Sequence, residues 1–150
     1  MSITDTAAEA TLVIRRTFAV PRERVYAAWT DPVIMSRWFA PGEATVRDVV
    51  FDAREGATYR IVMAHADGEL FVVGGTVREL RRPERIVWTF QWEDDNGVPE
   101  GTETLLTVDF QERGESTELV LTQVNFTDLA SRDRHEGGWT LCLDKLATVL

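Results

Sequence analysis

The hydrophobic and polar positions of this chain follow two different periods. From His135 to Leu150, apolar or small residues recur every three or four positions, which is the spacing of one face of an amphipathic helix. Gly138 lies on this face, although glycine inside a helix costs about 1 kcal/mol relative to alanine. The pattern predicts a long C-terminal helix with a gap in its apolar face. The gap either opens a cavity or lets the helix lie closer to a side chain such as Trp88.

The middle of the chain alternates with a period of two, which is typical of strands buried on one face. Between Glu43 and Asn125, short alternating segments are separated by turn sequences such as Asp67-Gly68 and Asn96-Gly97. A further strand is predicted at residues 12–19. Because the segments follow one another through tight turns, they favour an antiparallel meander of about seven strands in all.

Two short helices are predicted after the first strand. Proline is favoured in the first turn of a helix and aspartate caps its start, and the chain has Pro21 and then Asp31-Pro32. The result is an α+β architecture in the order β-αα-β6-α, with one long helix across a curved antiparallel sheet. Residues 1–10 are expected to be a flexible tail and residues 11–150 a single domain. A curved sheet contacts a helix mainly along one line, which leaves space for a ligand cavity.

Charge and composition disfavour several classes of partner. The formal net charge of −9 argues against nucleic acid, because binding there depends on a basic surface, and against anionic membranes. No apolar stretch reaches the roughly 18 residues that span a bilayer, so membrane insertion is not expected. A single cysteine, Cys142, and an acidic N-terminus without an apolar stretch favour a cytoplasmic protein.

The sequence lacks the common motifs of cofactor and metal chemistry. It contains no P-loop, no glycine-rich dinucleotide fingerprint, no G-x-S-x-G and no H-E-x-x-H. The only histidines are His65 and His135, whereas a zinc site needs three or four good ligands. We therefore expect neither a cofactor nor a metal.

His135 and Arg16 are the polar candidates for catalysis or ligand recognition. His135 begins the apolar helix face, where it could contact a ligand, act as a general base, or simply bond to backbone near the helix start. Arg16 shares a strand face with Leu12, Ile14 and Phe18. It could bind a ligand carboxylate or pair with an acidic residue of the protein.

The remaining candidates are apolar residues that the two periods place on facing surfaces. Aromatic rings on the strands and the helix could line a pocket for a flat ligand, or they could fill an ordinary core. The predicted cavity residues are Trp38, Tyr59, Ile61, Met63, Trp88, Phe90, Trp92, His135, Gly138, Trp139, Cys142 and Leu146.

Two segments at opposite ends of the chain resemble a known family. Residues 16–32, continued by Arg37-Trp38-Phe39 and Pro41, resemble the N-terminal signature of the activator of heat-shock-protein-90 ATPase homologue-like proteins, in the START/Bet v 1-like (SRPBCC) superfamily. The pattern His-x-x-Gly-Trp that ends at Trp139 resembles the C-terminal helix of the same family. This resemblance spans residues 12–150. It implies a helix-grip fold, in which a seven-stranded antiparallel sheet wraps around a long C-terminal helix and encloses a hydrophobic cavity.

Three functions are consistent with these observations, since this fold alone does not fix a function. The leading hypothesis is binding or transport of a small hydrophobic ligand, such as a lipid, polyketide or aromatic molecule, in the cavity. One alternative is a cyclase-, aromatase- or hydrolase-like enzyme without a metal, although a non-enzymatic role is favoured. The other is a stress-related co-chaperone-like module that binds a chaperone protein. A monomer or weak homodimer is expected.

Overall fold

The structure, a computed structural model, describes residues 10–150, so nearly all of the predicted tail lies outside the described residues. The elements follow the predicted order. They are β1 (Leu12–Phe18), α1 (Arg22–Thr30), α2 (Pro32–Met35), β2 (Thr45–Phe51), β3 (Thr58–Ala64), β4 (Leu70–Arg81), β5 (Arg85–Trp92), β6 (Thr104–Arg113), β7 (Ser116–Val124) and α3 (Leu129–Val149). Within residues 10–150, no helix is long and apolar enough to cross a membrane.

The strands form one antiparallel sheet in the order β1-β7-β6-β5-β4-β3-β2. Register shifts interrupt the pairing of β2 between Val46 and Asp48, and that of β4 between Val77 and Glu79. Such bulges bend a strand and increase its twist, which helps this sheet to curve around a helix. The helix-grip fold predicted from the sequence is therefore confirmed.

The two short helices form where the proline-led sequences predict them. Pro21 directly precedes α1, and the Asp31 side chain accepts a hydrogen bond from the Val33 backbone N–H at 2.9 Å, which caps α2. The indole N–H of Trp38 donates to the Ala28 carbonyl at 2.9 Å. This bond joins the segment after α2 to α1 and fixes the chain that leads into β2.

The core lies between the inner face of the sheet and the helices. Trp29, Trp38 and Trp88 are fully buried. The Trp29 ring lies 5.8 Å from the Trp139 ring in a stacked arrangement, and 5.9 Å from the Trp88 ring. Aromatic contacts of this kind contribute about 0.5–1.5 kcal/mol beyond the burial of their area. They connect α1, β5 and α3 into one packed unit.

Polar contacts hold the C-terminal half of α3 in place. Arg16 on β1 pairs with Asp144, with 2.6 Å between Nη1 and Oδ1. The Nζ of Lys145, the only lysine in the chain, donates to the carbonyls of Ala40 at 2.5 Å and Ala44 at 2.9 Å. These bonds attach the helix to β1 and to the segment between α2 and β2.

Candidate ligand-binding cavity

A cavity of about 430 Å³ lies between the N-terminal half of α3 and the inner side of β3, β4 and β5. The segment after α2 closes a further side. The cavity is lined by Phe39, Pro41, Met63, Phe71, Phe90, Trp92, Ser131, Arg134, His135, Gly138, Trp139 and Cys142. Most of these side chains are apolar and five are aromatic, so the space favours an apolar occupant.

Gly138 forms the part of the helix face that lies over the cavity. A Cβ atom placed on Gly138 would meet no other atom within 4 Å, apart from its own neighbours in the helix. The missing side chain is therefore not replaced by a closer approach of the sheet. The sequence left two alternatives for Gly138, a cavity or a closer approach of the helix to the sheet. The structure shows an open space at this glycine.

Both ring nitrogens of His135 are engaged within the protein. The indole N–H of Trp92 donates to Nε2 at 3.0 Å, so Nε2 is the unprotonated nitrogen. Nδ1 then carries the proton and donates to the Ser131 carbonyl at 2.7 Å. Burial lowers the pKa of His135 below its ordinary value of 6.5; the bond to Ser131 opposes this shift, and the charge of Arg134 adds to it. His135 is thus neutral and accepts the hydrogen bond that holds Trp92. Its lone pair could accept a proton from a ligand only if the hydrogen bond from Trp92 breaks.

A buried chain of hydrogen bonds fixes Trp139 in the cavity wall. Its indole N–H donates to Gln123 Oε1 at 2.8 Å, and Gln123 Nε2 donates to Thr104 Oγ1 at 2.8 Å. Thr104 donates in turn to the Phe90 carbonyl at 3.1 Å. Because Gln123 is completely buried, its two bonds satisfy an amide group that has no access to water. The chain links two cavity-lining residues, one on α3 and one on β5.

Cys142 contributes an apolar surface to the cavity. Its thiol donates to the Phe39 carbonyl at 3.0 Å, and burial raises the pKa of Cys142 to about 12, against the opposing charge of Lys145. The thiol is therefore protonated at neutral pH and is a poor nucleophile. Within residues 10–150, no three His, Cys, Asp or Glu side chains gather as metal ligands.

A smaller cavity of about 150 Å³ adjoins the first one near the N-terminus of α3. Phe90, Trp92, Ser131 and His135 line both spaces, so the Trp92–His135 hydrogen bond lies in the wall between them. The smaller cavity is more polar, because Thr102, Thr104 and Glu100 contribute to it. Its lining residues are Phe90, Trp92, Glu100, Gly101, Thr102, Thr104, Phe126, Thr127, Ser131 and His135.

The structure divides the predicted cavity residues into two groups. Seven of them line the larger cavity: Met63, Phe90, Trp92, His135, Gly138, Trp139 and Cys142. Five lie in the packed core outside this lining: Trp38, Tyr59, Ile61, Trp88 and Leu146. Arg16 is also outside the lining, because its side chain is directed to Asp144.

Five residues that line the cavity were not among those predicted, and the sequence offers little signal for them. Phe39 and Pro41 lie in a segment without periodicity. Phe71 belongs to a strand that begins with consecutive apolar residues, so alternation does not assign its face. Ser131 and Arg134 precede the apolar pattern that begins at His135, whereas α3 itself begins at Leu129.

Comparisons with known proteins place this geometry in a family. The family model for activator of Hsp90 ATPase homolog 1-like protein matches residues 19–150. The AHSA1 protein of Silicibacter pomeroyi is 28% identical, with a TM-score of 0.86, over 93% of this chain and 96% of that chain. A protein of Chromobacterium violaceum is 27% identical, with a TM-score of 0.84, over 93% and 96% of the two chains.

A protein of Rhizobium leguminosarum is also similar, with 28% identity and a TM-score of 0.74 over 93% of this chain and 92% of that chain. The comparison with curated proteins finds no match. Since the family model covers most of the sequence, and the similar structures share the fold, the chain belongs to the activator of Hsp90 ATPase homolog 1-like family, of the SRPBCC type.

Proposed function

We propose that this protein binds a small, mainly apolar molecule in the larger cavity, between α3 and the sheet. The observation that carries the proposal is the open space of about 430 Å³ beneath Gly138, walled by aromatic rings. Small-molecule sites are typically apolar hollows of roughly 300–1,000 Å³ with a few polar groups that orient the ligand. Ser131 and Arg134 supply such groups at one side of this cavity.

The polar groups of the cavity support binding better than catalysis. The Nε2 lone pair of His135 accepts a hydrogen bond from Trp92, and the Cys142 thiol donates to a backbone carbonyl. A general base needs a free lone pair, and a cysteine nucleophile must first lose its proton, so neither group is set up to react. The chaperone-binding alternative has the name of the family as its support and stays a prediction.

A matched pair of glycine substitutions tests the proposal. Gly138→Leu directs a side chain into the cavity, whereas Gly137→Leu adds the same side chain at a neighbouring helical position that also has open space around it. Both changes replace a helical glycine, so both should favour the helix to a similar extent. Binding of a neutral aromatic probe, 2-naphthamide, is measured by isothermal titration calorimetry.

We expect the wild-type protein and Gly137→Leu to bind the probe with similar affinity, and Gly138→Leu to bind it about tenfold more weakly or worse, equivalent to 1.4 kcal/mol or more. Equal affinity of the two variants for the probe would show that the probe binds outside the larger cavity. Failure of all three proteins to bind any aromatic probe of this size, neutral or anionic, would reject the ligand-binding function itself.

A further inference from the structure

The charge that lines the larger cavity is opposite in sign to the net charge of the protein. The chain has 25 acidic residues and 16 basic ones. Among residues 10–150, however, the side chains that line this cavity include one arginine, Arg134, and no carboxylate. A cleft with apolar walls and one sign of charge attracts ions of the opposite sign, because the field is poorly screened there. The lining therefore favours an anion over a neutral molecule or a cation.

The guanidinium of Arg134 is available for such an anion. In the part of the chain that the structure describes, its side chain makes no hydrogen bond or ion pair, whereas the nearby Arg132 pairs with Asp133 at 2.8 Å. Arg134 is exposed and also lines the cavity, so it lies at the opening. Its positive charge also contributes to the lowered pKa of His135, another residue of the cavity lining. An acidic group at the opening would gain an interaction without breaking an existing pair.

The aromatic walls favour a flat partner. Phe90 and Trp92 meet at 88° with 5.4 Å between ring centroids, and Phe39 and Trp139 meet at 84° with 5.5 Å. A planar ring system can stack on one ring of such a pair while it meets the edge of the other, and both arrangements are favourable for aromatic groups. A flexible aliphatic chain fills the same volume without these contacts.

We infer that the ligand of this cavity is a planar aromatic anion, whose rings lie among the aromatic walls and whose carboxylate or similar acidic group lies against Arg134. The inference rests on the proposed ligand-binding function and makes it more specific. It makes Arg134 a residue that determines specificity for charge, while the aromatic rings supply most of the affinity.

Two probes of nearly identical shape separate the contribution of the charge to the affinity from the contribution of the ring system. 2-Naphthoate carries a carboxylate where 2-naphthamide carries a neutral amide. Their affinities are compared by calorimetry at low salt for the wild-type protein, for Arg134→Gln and for Arg78→Gln. Arg78 is an exposed residue of β4 that lines a shallow depression with Val87 and Glu103, away from the cavity, and its substitution changes the net charge equally.

We expect the wild-type protein to bind 2-naphthoate about threefold to tenfold more tightly than 2-naphthamide, as partly exposed charge pairs usually allow. Arg134→Gln should remove this preference, because it weakens the binding of 2-naphthoate more than that of 2-naphthamide. Arg78→Gln should keep the preference. Added salt should reduce it in the wild-type protein, since the pair lies near solvent.

The outcomes separate this inference from the function on which it rests. Equal affinities of the wild-type protein for the two probes, or a preference that persists in Arg134→Gln, would overturn the anion assignment while ligand binding stands. Decanoate, a straight-chain anion, should bind more weakly than 2-naphthoate, and equal binding would overturn the aromatic assignment. If neither naphthalene probe binds, both the proposed function and the inference fail.

Discussion

Helix α3 covers the sheet in two different ways along its length. Its C-terminal half presents Leu143 and Leu146, both fully buried, to a densely packed core. Its N-terminal half presents His135 and Gly138 to a cavity of about 430 Å³. We call these regions the packed half and the hollow half. The same helix face thus produces a core where it offers branched apolar side chains, and a ligand-sized space where it offers a glycine and a hydrogen-bonded histidine.

Strand β5 shows the same contrast on the sheet side. Trp88 and Trp92 point to the same face of one strand, four residues apart. Trp88 is fully buried against the rings of Trp29 and Tyr59, whereas Trp92 is only partly buried and lines the cavity. Identical side chains in one alternating pattern therefore have different roles, which depend on what α3 places opposite them.

Truncation of these two tryptophans should give the largest difference between the halves. Trp88→Ala removes a ring that is enclosed on all sides, and we expect it to lower the free energy of unfolding by about 3–5 kcal/mol. Trp92→Ala should cost about half as much or less, because this ring already borders open space and loses one hydrogen bond worth about 1 kcal/mol. Urea denaturation of both variants measures the difference.

Equal losses for the two alanine variants would contradict the division into a packed and a hollow half. If Trp88→Ala does not fold, the milder pair Trp88→Leu and Trp92→Leu gives the same comparison with smaller changes in volume.

A smaller effect is expected at the boundary between the halves. Gln123→Leu leaves the Trp139 indole N–H without its acceptor in a buried site, which should cost about 1–3 kcal/mol. Gln91→Leu is the matched control, because Gln91 donates to the Gly101 carbonyl on the surface, and its loss should cost at most about 0.5 kcal/mol. Thermal unfolding of both proteins checks the ranking, and a Gln123→Leu protein as stable as the wild type would contradict the role given to this network.

The smallest expected effect is a dependence of stability on pH in the hollow half. Burial lowers the pKa of His135 in the folded protein below the ordinary value of 6.5. The unfolded chain therefore binds a proton at this residue at a higher pH than the folded protein does, and stability falls as the pH decreases below about 6.5. Well above that value His135 is neutral in both states and contributes no dependence.

The comparison protein for this titration is His135→Gln. The wild-type free energy of unfolding, measured relative to the variant, should decrease on acidification below about 6.5 and stay constant above it. A difference that is independent of pH, or that increases on acidification, would show that His135 is not held in its neutral form.

Periodicity made most of the fold predictable. The change from a period of two to one of 3.6 located the strands and α3, and Asp31-Pro32 marked the start of α2 because the cap and the proline are local features. Gly138 indicated a gap in the helix face, because a glycine within the apolar pattern is also a local feature. Each of these signals depends on residues close together in the sequence.

The lining of the cavity was only partly predictable, because it depends on contacts between distant residues. Alternation gives Trp88 and Trp92 the same face, and only the position of α3 separates a core ring from a cavity ring. Arg16 had two possible roles until the fold brought Asp144 to it from 128 positions away. Arg134 lies before the apolar pattern of the helix begins, so no periodic signal connected it with the site.

The five tryptophans allow the most direct test of the central claim, that the hollow half binds a small aromatic molecule. Each indole N–H gives its own signal in a nitrogen-15 correlation spectrum, so 2-naphthamide can be titrated while all five are observed. We predict that the signals of Trp92 and Trp139 shift most, that Trp29 follows weakly because it stacks on Trp139, and that Trp38 and Trp88 do not move. Shifts that are largest at Trp38 or Trp88, or an absence of shifts at Trp92 and Trp139, would contradict the claim that the hollow half binds a small aromatic molecule.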